Sequence, residues 1–111
     1  MTVPLYQAKA EFFQTLGHPA RIRILELLSE RDHAVHELLD QIAIEPSNLS
    51  QQLGVLRRTS LVVSYRHGSE VRYSVSVPEV RDLLLAARRI LSGIIAQQGE
   101  LEAELSPPAS P

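Results

Sequence analysis

Between Pro46 and Val75 the spacing of apolar residues changes period, and that change narrows the folds open to the chain. Leu49, Leu53 and Leu56 recur at steps of four and three, the repeat of one helical face. Shortly afterwards Leu61-Val62-Val63-Ser64-Tyr65 and Val71-Arg72-Tyr73-Ser74-Val75 read as two strands, rich in β-branched and aromatic residues. His67-Gly68-Ser69-Glu70 between them predicts a hairpin turn, with Gly68 free to take positive φ. A helix with one stripe to bury is therefore followed directly by a short β-ribbon.

The flanking sequence is helical. Leu5, Ala8, Phe12, Phe13 and Leu16 predict a first helix, ended by Gly17. Pro19 suits the first turn of a second helix, from about Pro19 to Ser29. A short third helix is expected over Val35 to Ala43, carrying Leu38, Leu39 and Ile42, before the tight turn Glu45-Pro46-Ser47. The fourth runs from about Ser47 to Arg58, and a long fifth from about Glu79 to Glu104. The expected class is mostly α with a small β-hairpin. A length of 111 residues suits one compact domain, 1–105, followed by a short disordered tail, 106–111.

Composition sets the outer limits. The chain has no cysteine, which excludes disulfides, thiolate metal sites and cysteine nucleophiles. No apolar stretch reaches membrane-spanning length and no signal-like segment opens the chain, so a cytoplasmic protein without a membrane partner is expected. No nucleophile with a local base motif, phosphate loop or complete metal site is visible, and an enzyme is not expected. The net charge of −2 hides a segregation of charge. Arg57, Arg58, Arg66, His67 and Arg72 form a basic middle opposed locally only by Glu70, while Glu100, Glu102 and Glu104 make the end acidic.

Two short helices joined by a tight turn and followed by a basic hairpin suit the reading of double-stranded DNA. At 100° per residue, the fourth helix turns Leu49, Leu53 and Leu56 inward and presents Ser47, Gln51, Gly54 and Arg58 opposite them, flanked by Asn48 and Ser50. Asn and Gln can pair with adenine, Ser can donate or accept, and Arg can hold guanine or phosphate. Ser47, Asn48, Ser50 and Gln51 are the expected base readers, while Arg57, Arg58, Arg66, His67 and Arg72 are expected mainly to hold phosphate. An ordinary amphipathic helix with a polar face and a solvated turn remain the plainer readings of the separate parts.

The chain resembles the ArsR/SmtB-type transcriptional regulators from about Phe12 to Ala96. Leu16-Gly-His-Pro-Ala-Arg-Ile-Arg-Ile-Leu25 is similar to that family's L-x-x-P-x-R-x-x-I-L opening. Ser47-Asn-Leu-Ser-Gln-Gln-Leu-Gly-Val-Leu-Arg57 is similar to its S-x-x-S-x-H-L-x-x-L-R reading helix, and Arg66-His-Gly-Ser-Glu-Val-Arg-Tyr73 to its wing. The resemblance implies a winged helix-turn-helix regulator, usually a repressor, that reads a palindromic operator as a homodimer. It also implies that the first and last helices pair across a two-fold axis. Two departures stand out. Gln52 replaces the usual His, still polar and able to contact DNA, and Ser60 replaces a helix-closing Gly at a cost of about 1 kcal/mol if its backbone is left-handed.

In the last helix Leu84, Leu91, Ile94 and Leu101 lie on a heptad-like seam, the candidate dimer interface. Many members of the family respond to metals, with Cys or His ligands in the third or last helix. The last helix here has neither. His33 and His36 have HxxH spacing and could share nickel or zinc, but two imidazoles do not complete a site. The plainer reading puts His33 in a solvated loop and His36 near a helix start. Sensing by an organic ligand, by unexpected residues or through a co-regulator protein stays open, as do activation in place of repression and a protein-interaction module without DNA binding.

Overall fold

The computed structural model describes residues 2–105, with side chains from 2 to 99. The expected tail at 106–111 and the Leu101 side chain lie outside the described residues. Five helices and three strands follow in the order α1 (Leu5–Leu16), α2 (Pro19–Glu30), β1 (His33–Ala34), α3 (Val35–Gln41), α4 (Pro46–Arg58), β2 (Val62–His67), β3 (Glu70–Val75) and α5 (Glu79–Leu105). The chain divides into two compact units, Met1–Arg81 and Asp82–Pro111, so that α5 begins in the first and continues through the second.

In the first unit the helix boundaries follow local chemistry. His18 caps α2 by accepting the Ala20 N–H at Nδ1, 3.3 Å, with Pro19 at the first helical position. At the start of α3, Glu37 reaches back to accept the Ala34 N–H at 2.9 Å. Helix α4 ends in a hydrogen-bonded stop. Ser60 N–H donates to the Arg57 carbonyl at 3.0 Å and Leu61 N–H to the Leu56 carbonyl at 2.9 Å, with Leu56 and Leu61 both buried. Ser60 takes φ 65°, the left-handed conformation that a glycine would adopt freely.

The core of this unit gathers Ile24, Leu25, Leu27 and Leu28 of α2, Leu38 of α3, Leu49, Leu53 and Leu56 of α4, and Leu61 and Val62 at the entry to β2. All three α4 leucines are buried as the periodicity requires, and each contributes roughly 1.5–3 kcal/mol of transfer free energy. On α2 the buried stripe is Ile24-Leu25 and Leu27-Leu28, while Ile22 stays half-buried at its edge. Helix α3 stops two residues earlier than expected, with Ile42 as its C-cap.

The sheet has three antiparallel strands in the order β1-β3-β2, one more than the hairpin expected. His33 pairs with Tyr73 and Ala34 with Arg72. The hairpin turn is also tighter than the four residues expected. His67 pairs with Glu70, so the loop is Gly68-Ser69 alone, with Gly68 at φ 66°. Positive φ at the first central residue only is the pattern of a type II′ turn, whose twist suits a hairpin.

Among the described residues the second unit consists of the continuing α5 helix. Leu84 is half-buried, whereas Leu91 is 58% and Ile94 44% exposed, and Ile90 and Ile95 are exposed beside them. Ile90 is 62% exposed. No helix among the described residues is long and apolar enough to cross a membrane.

Candidate nucleic-acid interface

Helix α4 has two opposed faces. Against the buried leucines stand Ser47, Ser50, Gln51, Arg57 and Arg58, all exposed, with Asn48 half-buried at the margin. Its N-terminus has Pro46 at the first position and no side-chain cap, which leaves backbone N–H groups for an anion. Arg57 and Arg58 fall in the last turn, where they complement the helix dipole. Arg58 folds back along its own helix, and a Cβ added at Gly54 would come within 3.2 Å of its Nη1.

Gln52 departs from the expectation that it faces DNA. It is 5% exposed, and both ends of its amide are hydrogen-bonded within the protein. Arg21 Nε of α2 donates to Gln52 Oε1 at 2.8 Å, and Gln52 Nε2 donates to Asn48 Oδ1 at 2.9 Å. Arg21 Nη1 also donates to the Thr15 carbonyl at 3.0 Å, which ties the end of α1 into the same row. The signal was present in the helical wheel. At 100° per residue Gln52 lies about 60° from Leu49 and about 40° from Leu56, on the edge of the buried stripe. Arg21 was not singled out as part of the site, although it occupies the Arg position of the opening motif.

The wing separates its basic residues into two kinds. Arg66 and His67 are exposed next to the turn. Arg72 is held differently. Its side chain is only 22% exposed, and it meets Glu37 Oε1 at 3.3 Å and Glu70 Oε2 at 3.2 Å while donating to the Asp32 carbonyl at 3.4 Å. The cause is β1. Pairing with Ala34 brings Arg72 over the segment that carries Asp32 and Glu37. Arg72 thus clamps the wing to the helix-turn-helix.

The same cluster perturbs its acids. The Ala34 N–H and then Arg31 hold the Glu37 carboxyl down to about 2. His36, with Arg72 behind it, holds the Glu70 carboxyl below its ordinary range. The Tyr65 hydroxyl donates to Asp32 Oδ2, and that bond pushes its own pKa up.

The two histidines considered as metal ligands are engaged separately. His33 is 3% exposed in β1, its Nδ1 at 2.8 Å from the Arg31 carbonyl, so it is a buried strand residue and not part of a solvated loop. His36 is exposed, its Nε2 at 2.7 Å from Glu70 Oε1. Among the described residues no group of three or more His, Cys, Asp or Glu side chains is placed to hold a metal ion. The donors present do not fit the nickel or zinc site considered from the spacing.

With this geometry in place, the chain can be set beside known proteins. The family model of bacterial regulatory proteins, arsR family, matches residues 18–64, which span α2 to the middle of β2. The uncharacterized HTH-type transcriptional regulator Rv0081 of Mycobacterium tuberculosis is 54% identical over 96 residues, covering 86% of this chain and 84% of that protein. The crystal structure of Rv0081 matches with a TM-score of 0.79 at 53% identity, over 87% of this chain and 98% of the other. The biofilm growth-associated repressor of Xylella fastidiosa is 36% identical over 77 residues, 69% of this chain and 68% of that one. A solution structure of the homodimeric winged helix-turn-helix domain Mb0332 from Mycobacterium bovis has a TM-score of 0.72 over 84% of this chain and 86% of the other. At 22% identity that last likeness shows the fold alone.

Proposed function

The chain belongs to the ArsR family of bacterial regulatory proteins, and from that premise we propose that it is a homodimeric transcriptional repressor that reads a palindromic operator. The observation that carries this reading is the division of α4, three leucines at most 1% exposed on one side and Ser47, Ser50, Gln51, Arg57 and Arg58 exposed on the other. A helix seated so firmly by one face can present the other to a major groove in a fixed orientation. Ser47, Asn48, Ser50 and Gln51 then meet base edges, while Arg57, Arg58, Arg66 and His67 hold phosphate on either side. The similarity to a repressor of Xylella fastidiosa supports repression as the outcome.

A second copy is the proposed cover for apolar side chains that the described units leave open. On α1, Leu5 is 70%, Tyr6 78% and Phe13 54% exposed. On α5, Leu91 and Ile94 are exposed with Leu84 half-buried, and Leu101 continues the same seam in sequence. Burial of such side chains between copies would supply the hydrophobic part of an obligate interface.

Binding to promoter DNA as a function of salt tests the reading. Affinity for one sequence should exceed that for random DNA and fall steeply as salt rises. Gln51→Ala should reduce the preference for the operator, whereas Arg66→Ala should weaken operator and random DNA alike. Equal losses from both substitutions would displace the reading helix from Ser47–Arg58, and no binding at low salt would remove the function.

A further inference from the structure

The polar row behind α4 constrains more than packing, on the premise that α4 is the reading helix. Arg21 Nε can only donate, so the Gln52 atom 2.8 Å from it is the carbonyl oxygen. Arg21 is itself held at its Nη1 by the Thr15 carbonyl. With Oε1 committed inward, Gln52 turns its Nε2 toward Asn48, and the Asn48 atom that accepts at 2.9 Å is therefore Oδ1. That leaves Asn48 Nδ2. No buried side-chain nitrogen lacks a partner among the described residues. The Asn48 amide nitrogen, which has no such bond among the described residues, is therefore not fully buried, and it lies at the N-terminal end of the reading face.

We infer that Arg21 and Gln52 are positioning residues that set the polarity of the Asn48 amide and so the kind of base it reads. An unconstrained asparagine can grip adenine with both amide atoms. Here Oδ1 is held against Gln52, and a charge-assisted bond from Arg21 opposes any flip of the row. Asn48 offers DNA a donor. It selects a base with an acceptor in the major groove, guanine through O6 and N7, thymine through O4 or adenine through N7, over cytosine, whose N4 amino group is a donor.

Gln52→Glu reverses the polarity without removing the row. A carboxylate at 52 accepts from Arg21 with one oxygen and from Asn48 with the other, so Asn48 turns Nδ2 inward and Oδ1 outward. Wild type and Q52E are each used to select bound duplexes from a random-sequence DNA library at one salt concentration, with folding checked by circular dichroism. At one position of each half-site cytosine should gain about tenfold over guanine and thymine in Q52E relative to the wild type, with other positions unchanged. Identical base preferences for the two proteins would overturn the inference. Failure of the wild type to select any sequence would instead overturn the assignment of the reading helix, on which the inference rests. Should Q52E not fold, Asn48→Asp gives the same test, because aspartate accepts from Gln52 and presents a second acceptor outward. An unchanged preference in N48D would overturn the inference equally.

Discussion

Helix α4 is seated by three leucines no more than 1% exposed and by a glutamine buried at their edge, whereas the wing is tied down by Arg72, Glu37, Glu70, Asp32 and Tyr65, each at least partly open to water. Apolar burial does not depend on pH and is little weakened by moderate salt. Ion pairs near the surface are screened by salt and dissolved by acid. Helix α4 is thus held mainly by contacts indifferent to conditions, and the wing by contacts that respond to them.

The largest effect expected from breaking this comparison is on the apolar side. Leu53→Ala should cost about 3 kcal/mol by removing a fully buried side chain and leaving a cavity, measured by urea or thermal unfolding. A loss confined to DNA affinity, with unchanged stability, would contradict the packing described. On the wing side Glu37→Gln should cost less than that leucine, and its cost should depend on pH. The Glu37 carboxyl is held down to about 2 from an ordinary 4.5, so its contribution is complete above 4.5 and fades as pH falls through that interval. The stability gap between wild type and E37Q should therefore shrink from about pH 5 toward about pH 2, a window set by the lowered carboxyl. A gap independent of pH would show that Glu37 acts by packing alone. The smallest effect sharpens the boundary between the two regions. Ser60→Gly relieves a left-handed residue between α4 and β2 and should stabilise by up to about 1 kcal/mol, with the acid response of the wing unchanged.

Much of the architecture was legible because it is written in local period. The leucine repeat gave α4 to within a residue at its start, and the β-branched runs located β2 and β3. What escaped was non-local. Two residues, His33 and Ala34, carry no strand signal of their own and become β1 only by pairing with Tyr73 and Arg72. That omission led directly to the reading of His33 as a loop residue, and it hid the contacts that Arg72 makes with Glu37 and Asp32. Gln52 is a different case. Its polarity suggested an outward role, while its angle on the wheel placed it near the leucines, and the angle decided its fate because Arg21 was there to satisfy the amide.

The two-residue β1 strand also bears on the order in which the protein assembles. A hairpin with a two-residue turn can close from neighbours in sequence, and helices α2 to α4 can nucleate from their own turns. The β1–β3 ladder joins segments from opposite sides of the helix-turn-helix, so loop-closure entropy delays it until the intervening helices are in place. Loop-closure entropy therefore favours docking of the wing after the helices. In a growing chain that has not yet reached Tyr73, α4 can form from its own turns, but the ladder that ties the wing to the segment before α3 cannot.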